Sequence, residues 1–311
     1  YNFTERPATT FDVFKKSSAY HKDDCPVRCP LYKGKYRIEK AKLPVAQDVP
    51  DRIMLLGCIE VPLEEAKAFG VISVDADGRV TEFNEKPEHP QPVPGKPDVA
   101  LASMGIYIFN TAFLYEQLIK DADQVYSTHD FGHDILPKLI RSHRVHAYRF
   151  GRKTGRVTPD NYWRDVGTID SYYEANMDLV NVSPQLNLYN YKWPILTNQG
   201  NLPPAKTVFD DDGRRGQNID SYVCAGCISS GSTVRRSIIG PRCRIHSFRT
   251  VEDSILFENV SVGRNVNIRK AIIDKNITIP DGTKIGFDLA ADRRKGYTVT
   301  DSGIVVVPRT D

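Results

Sequence analysis

Cysteine is scarce in this chain, with six residues in 311, which excludes the disulfide framework of a small secreted scaffold. Long hydrophobic runs are missing as well. No stretch approaches the length that spans a bilayer, and the first twenty residues, YNFTERPATTFDVFKKSSAY, hold no apolar signal core. Neither sign of charge dominates: 42 Lys and Arg stand against 39 Asp and Glu, a formal charge of +3. The cations are dispersed, so the footprint of a nucleic-acid-binding or membrane-surface protein is missing too. The expectation is a cytoplasmic protein without nucleic-acid or membrane partners, open to a small anionic ligand.

What is present suffices for two domains, because 40% hydrophobic and 10% aromatic residues can bury separate cores. Residues 1–52 show no sustained period of 2 or 3.6, despite basic clusters such as KGKYRIEKAK, and are left unassigned. The chain opens on Tyr1 rather than Met, which reads as a fragment, a processed product or a misread start. From Ile53 the texture changes. IMLLGCIEV is a short buried-strand candidate, FGVISVDADGRVTEFNEKP a β-hairpin whose Asp-Ala-Asp-Gly turn tolerates positive φ, and ALASMGIYIFN a further strand from Ala100 to Phe109. The proline-rich EHPQPVPGKPD reads as an extended loop.

Helices are expected in TAFLYEQLIKDAD, with Phe113, Leu114 and Leu118 on one face, and in HDFGHDILPKLIRSH, where Ile135, Leu136, Leu139 and Ile140 form a stripe. Pro137 either kinks the second helix or sits in its first turn. A third runs from Ile169 to Leu179 with Thr168 as its N-cap. Strands mixed with helices predict an α/β region over 53–190. The prolines of YKWPILTNQGNLPPAK predict a linker over 191–209.

The last third repeats itself. From residue 228 it divides into ISSGSTVRRSIIGPRCR, IHSFRTVEDSILFENVS, VGRNVNIRKAIIDKNIT and a partial IPDGTKIG, each full unit being 17 residues. Aliphatic residues recur in three columns: Ile228, Ile245, Val262 and Ile279; Val234, Val251, Ile268 and Ile285; Ile239, Leu256 and Ile273. Each column supplies one face of a three-sided coil, which predicts a left-handed parallel β-helix over 210–311. The units are too short for helix pairs and rich in β-branched residues.

Two local features bear on chemistry. Pro87 ends the second hairpin strand, since it has no N–H for a ladder, and leaves Glu85 and Lys86 at a strand end beside a rigid turn. That placement suits a ligand-binding pair, while solvated surface charge is the commoner outcome for residues of this type. Cys25 and Cys29 in CPVRC, with Cys224 and Cys227 in a C-x-x-C, invite a zinc reading. The second pair has the wrong spacing for a zinc ribbon, and Cys227 adjoins a repeat position that takes a small buried residue, so packed thiols are expected.

The ordered set EEAKAFGVISVD, EFNEKP, LASMGIYIFN, HDFGHDILPKLI, YWRDVGTIDSYYEANMDL and LPPAK, followed by the β-helix, resembles the glucose-1-phosphate adenylyltransferase family from about Gly57 to Arg309. The resemblance implies a Rossmann-like sugar-nucleotidyltransferase domain ahead of the β-helix. It also implies a reaction in which glucose 1-phosphate attacks the α-phosphorus of ATP in line, with Mg²⁺, to give ADP-glucose and pyrophosphate for glycogen or starch synthesis. By the same resemblance Lys86 holds the sugar phosphate, Glu85 accepts from sugar hydroxyls, and Gly70 and Ser103 complete the pocket. The residue types suit these roles: a compact point charge for a phosphate, two acceptors for a diol, and a glycine for close backbone approach.

Asp165 in WRDVG resembles the family's metal-binding aspartate, an oxygen ligand of the kind Mg²⁺ prefers. Taken alone it reads as a helix-entry carboxylate or a partner of Arg164. Asp130 also matches the family and reads as a cap for the helix that follows. Lys275 in IIDKN and Arg309 in SGIVVVPR fall where some members carry activator-binding cations, and they read equally as exposed surface charge. A homotetramer is implied in the same way.

In the family a Gly-rich nucleotide loop and a second metal-binding aspartate are expected before Ile53, and residues 1–52 show no closely spaced glycines with basic support. The expectation is therefore that the amino-terminal nucleotide-binding part is missing, that the chain alone makes no ADP-glucose, and that IMLLGCIEV forms an exposed sheet edge. Other readings are a truncated or regulatory homologue that binds sugar phosphate without turnover, a related sugar nucleotidyltransferase, and a hexapeptide acyltransferase with a histidine base. Against the last, His246 follows the inward Ile245 and should point outward.

Overall fold

A computed structural model describes residues 54–151, 162–191, 194–197, 200–248 and 250–309. Residues 1–52, including Cys25 and Cys29, lie outside the described residues. The chain divides into two compact units between Asn161 and Tyr162.

The first unit contains β1 (Met54–Pro62), α1 (Leu63–Ala66), β2 (Gly70–Val74), β3 (Val80–Glu85), β4 (Val99–Phe109), α2 (Thr111–Ala122), α3 (Leu136–Ser142) and β5 (Val145–Arg149). The strands form one sheet in the order β3-β2-β4-β1-β5. β1 runs antiparallel to β4 and parallel to β5, so the strand expected at an exposed edge is flanked on both sides. That flanking corrects the expectation. Met54, Leu55, Leu56, Cys58, Ile59 and Val61 are all buried, as the continuous apolar run of a two-sided central strand requires. The partner β5 was not anticipated, because VHAYR is short and set among charged residues.

The hairpin forms as expected, with Gly70 opposite Glu85 and Ile72 opposite Phe83. Its turn is closed by the Asp75 carboxylate, which accepts from the backbone N–H groups of Asp77 and Arg79, and by Gly78 at φ 78°. One face of the sheet packs Met54, Leu56, Ile72, Val80 and Leu101 against Leu136, Leu139 and Ile140 of α3, whose Pro137 sits in the first turn. A single π-helical turn, Phe131–Ile135, leads into α3.

The second unit begins with α4 (Ile169–Asp178). Thr168 caps it: its hydroxyl accepts from the Ser171 N–H at 3.1 Å, and the Ser171 hydroxyl accepts from the Thr168 N–H at 3.1 Å. Three parallel sheets then stack into a β-helix consistent with a left-handed coil. Val234, Val251, Ile268 and Ile285 lie in register in one sheet, and Ile239, Leu256 and Ile273 in another. All seven are buried to at least 99%.

The remaining column departs from expectation in its first coil. Ile245 lies opposite Ser229, while Ile228 lies opposite the exposed Arg244. Ser229 takes the inward seat, where its hydroxyl bonds that of Ser232 at 2.9 Å, so the first coil is one residue out of the repeat's phase. Cys227 and Cys243 fill neighbouring core positions, and each thiol donates to a backbone carbonyl, Gly240 and Phe257 respectively, at 3.0 Å. They are packed thiols.

A second set of aliphatics, Ile238, Ile255 and Ile272, precedes the inward column by one residue and faces out of the coil. Tyr173 of α4 covers it, packing on Ile255, Ile272 and Ile304. At the far end a short helix, α5 (Leu289–Arg294), and an antiparallel pair of strands lay Leu289, Tyr297 and Val299 against the core. Among the described residues no helix is long and apolar enough to cross a membrane.

Candidate active site

Glu85 is the last residue of β3, and Lys86 follows at φ 46°, its N–H bonded to the Phe69 carbonyl at 3.0 Å. This left-handed turn lets an exposed lysine leave the sheet at a fixed point beside the acid. Because Gly70 is paired with Glu85, the two share a face of the hairpin. A Cβ on Gly70 would stand 2.9 Å from the Glu85 Oε2 atom and 2.4 Å from the Phe83 ring. Glycine at 70 thus has a reason within the protein itself.

Tyr107, Asp130 and Gly132, which the sequence did not combine with Glu85, converge there. Burial raises the pKa of the Tyr107 phenol, a hydrogen-bonding effect of Ser103 opposes that rise, and the carboxylates of Glu85 and Asp130 add to it. Ser103 is itself buried, and its hydroxyl accepts from the Gly105 N–H at 3.3 Å. Tyr107 stacks on Phe131 with ring centroids 5.6 Å apart. Asp130 caps the π-turn, its carboxylate accepting from the His133 N–H at 2.8 Å. A Cβ on Gly132 would lie 2.9 Å from Glu85 Oε2 and 3.3 Å from the Asp130 carboxylate. The signal for this grouping was the FGHD that follows Asp130, but only the fold of the turn aims it at the end of β3.

The turn is held by a buried acid. Asp134 accepts from the Thr128 N–H at 3.1 Å, the Thr128 hydroxyl at 2.5 Å and the Asp130 N–H at 3.2 Å. These bonds, the Thr128 hydroxyl first, hold its carboxyl far below the usual carboxylate range. Asp121 supports the same loop, accepting from the Ser127 hydroxyl at 2.8 Å and contacting His129 Nδ1 at 2.9 Å.

The site is an open corner of the sheet. A separate cavity of about 350 Å³ lies under the proline-rich loop, lined by Ser73, Glu82, Val93 and Arg149 among others, and includes neither Glu85 nor Lys86.

Asp165 belongs to the second unit and is exposed. Its carboxylate lies over Gly167, 3.2 Å from where a Cβ would be. Arg164 donates instead to Gln185 Oε1 at 3.2 Å. Among the described residues no three His, Cys, Asp or Glu side chains converge as a metal cage. Lys275 and Arg309 are exposed and brought together by Asp274, whose carboxylate accepts from the Lys275 N–H at 2.7 Å and the Arg309 N–H at 3.4 Å. His246 is exposed, as its place after Ile245 predicts.

A Rossmann-like nucleotidyltransferase region followed by a parallel β-helix is the class that fold and site define. Comparison with known proteins agrees: residues 40–182 match the nucleotidyl transferase family model, and residues 203–307 match the model of the GlmU-like, C-terminal hexapeptide. The chain is similar to proteins named glucose-1-phosphate adenylyltransferase. It is 62% identical over 256 residues to that of Geobacter metallireducens, covering 81% of this chain and 62% of the relative. It is 60% identical over 262 residues to that of Trichlorobacter lovleyi, covering 83% and 63%. It is 51% identical over 273 residues to that of Nitrosospira multiformis, covering 88% and 64%. The chain therefore spans slightly less than two thirds of the length of these relatives.

These matches correct one expectation. The nucleotidyl transferase match begins at residue 40 and runs to 182, so the nucleotide-binding domain read as missing is present, and the inactivity inferred from its loss falls with it. The error came from equating a domain with one glycine-rich signature: a nucleotidyltransferase region is specified by its whole strand and helix order, of which such a loop is a small part.

Proposed function

We propose that this chain catalyses adenylyl transfer from ATP to glucose 1-phosphate, releasing pyrophosphate and forming ADP-glucose for glycogen or starch synthesis. The observation that carries the reading is the polar corner at the end of β3, where the Glu85 carboxylate lies between Gly70 and Gly132, within electrostatic reach of Tyr107, and beside Lys86. A sugar phosphate needs hydroxyl acceptors and one cation at a fixed separation, and adjacent residues across a left-handed turn supply them.

In this reading Lys86 binds the phosphate whose oxygen attacks the α-phosphorus of ATP, Glu85 accepts from ring hydroxyls, and Ser103 and Gly70 bound the sugar. Orientation of the two substrates and neutralisation of phosphate charge account for catalysis without a covalent enzyme intermediate. Asp165 is the proposed ligand for Mg²⁺. One exposed carboxylate fits an ion that usually takes only one or two from protein and completes its octahedron with phosphate and water oxygens. When bound, the ion neutralises charge on the triphosphate. The paired Lys275 and Arg309 suit an anionic effector, and the family resemblance supports a homotetramer, which light scattering would test.

The deciding experiment measures pyrophosphate release from ATP and glucose 1-phosphate with Mg²⁺, against an Asp165→Ala control. Release that depends on glucose 1-phosphate and on Asp165 supports the proposal. Release with no preference for glucose 1-phosphate over other sugar phosphates would sink the substrate assignment.

A further inference from the structure

We infer that Gly132 is a positioning residue for Glu85: with Gly70 it leaves the space that the carboxylate occupies and so fixes where it stands. The inference rests on the proposal that Glu85 receives the sugar hydroxyls. Glycine is the least favourable of the ordinary residues in a helical turn, so its presence in the Phe131–Ile135 turn calls for a reason. Backbone conformation does not supply one, since Gly132 is not among the glycines at positive φ. Space does. An added Cβ at 132 would meet Glu85 Oε2 at 2.9 Å, and one at 70 would meet the same atom at 2.9 Å.

The consequence of substitution follows from which neighbour gives way. At 132 the closest atom is the tip of a flexible side chain, while the Asp130 carboxylate at 3.3 Å and the Phe83 ring at 3.4 Å stand much nearer ordinary contact distance and need give only slightly. The turn itself is tied down by the bonds from Thr128 and Asp130 to Asp134. An alanine at 132 therefore displaces the acid and leaves the backbone in place. A site so dependent on its acceptor's position loses affinity when a supporting wall moves by an ångström. At 70 the cost is different, because the Phe83 ring would be struck at 2.4 Å and the core disturbed.

The test is a double-mutant cycle on glucose 1-phosphate binding, by titration calorimetry of the wild type, Gly132→Ala, Glu85→Ala and the double variant. Gly132→Ala is expected to weaken binding about ten- to a hundredfold, the range for one hydrogen-bonded charge, with KM for ATP unchanged. In the Glu85→Ala background the same substitution should have no further effect. If Gly132→Ala alone fails to fold, removal of the clashing acid in the double variant should restore folding, and a double variant that also fails overturns the inference by making the glycine a backbone requirement. Tight wild-type binding that Gly132→Ala leaves unchanged overturns the inference alone. A wild type that binds no glucose 1-phosphate overturns the parent proposal and this role with it.

Discussion

The Tyr173 hydroxyl donates a 2.6 Å hydrogen bond to the backbone carbonyl of Asp253, joining α4 to the β-helix, while the Asp253 carboxylate holds Arg236 through two bonds of 2.7 and 2.8 Å. Tyr173→Phe leaves that carbonyl unsatisfied and should cost about 1–3 kcal/mol, measurable by urea unfolding. Burial pushes the phenol up to about 12 from an ordinary value near 10. The unfolded chain ionises first, so the stability due to the neutral phenol is intact below about pH 10 and is lost as the pH rises towards 12. The phenylalanine variant should lack that part of the alkaline decline.

Acid should act through Asp134. Its folded pKa is depressed below the unfolded value of about 3.9, so its contribution is present above about pH 4 and is lost as the pH falls below that. Asp134→Asn should flatten the acid limb of the stability curve and raise hydrogen exchange at Thr128 and Asp130. An acid limb identical to the wild type's would show that the carboxylate does not hold the turn.

The β-helix register is testable with two matched substitutions. Ile245→Thr places a hydroxyl in the fully packed column and should cost about 2 kcal/mol or more, whereas Ile228→Thr, outside the column, should stay within about 1 kcal/mol. Ile268→Asp, at the centre of the core, should cost several kcal/mol and prevent cooperative unfolding. Equal losses for the two threonine variants would restore Ile228 to the core.

Substrate assignment predicts a split in kinetics. Lys86→Ala should raise KM for glucose 1-phosphate about ten- to a hundredfold, the worth of one charge-assisted contact, with little change in KM for ATP. Equal effects on both substrates would move Lys86 to another task.

Much of this molecule was legible in its sequence wherever period and punctuation agree. The hairpin announced itself through Asp75 to Gly78, the α4 cap through Thr168, and two of the three β-helix columns through their regular spacing. Ile228 misled because a hydrophobic residue stood one place from the inward seat, which Ser229 takes with its hydroxyl bonded to that of Ser232. The corner around Glu85 was half legible. Glu85, Lys86, Gly70 and Ser103 were named, while Tyr107 and Gly132 were not. Tyr107 reads as an ordinary strand aromatic, and a glycine that makes room leaves no mark in periodicity. The doubled aliphatics Ile238-Ile239, Ile255-Leu256 and Ile272-Ile273 carried a signal that went unused: one of each pair faces inward and the other seats α4.

That outer seat fixes α4 to one end of the stack. Tyr173 rests on Ile255, Ile272 and Ile304. Ile255 and Ile272 recur with the 17-residue unit, whereas Ile304 follows the last repeat and occurs once, so the cluster ties the tyrosine to the carboxy-terminal end of the stack. Repeat proteins ordinarily change length by whole-unit duplication. A unit added amino-terminal to Ile238 would leave this cluster as it is.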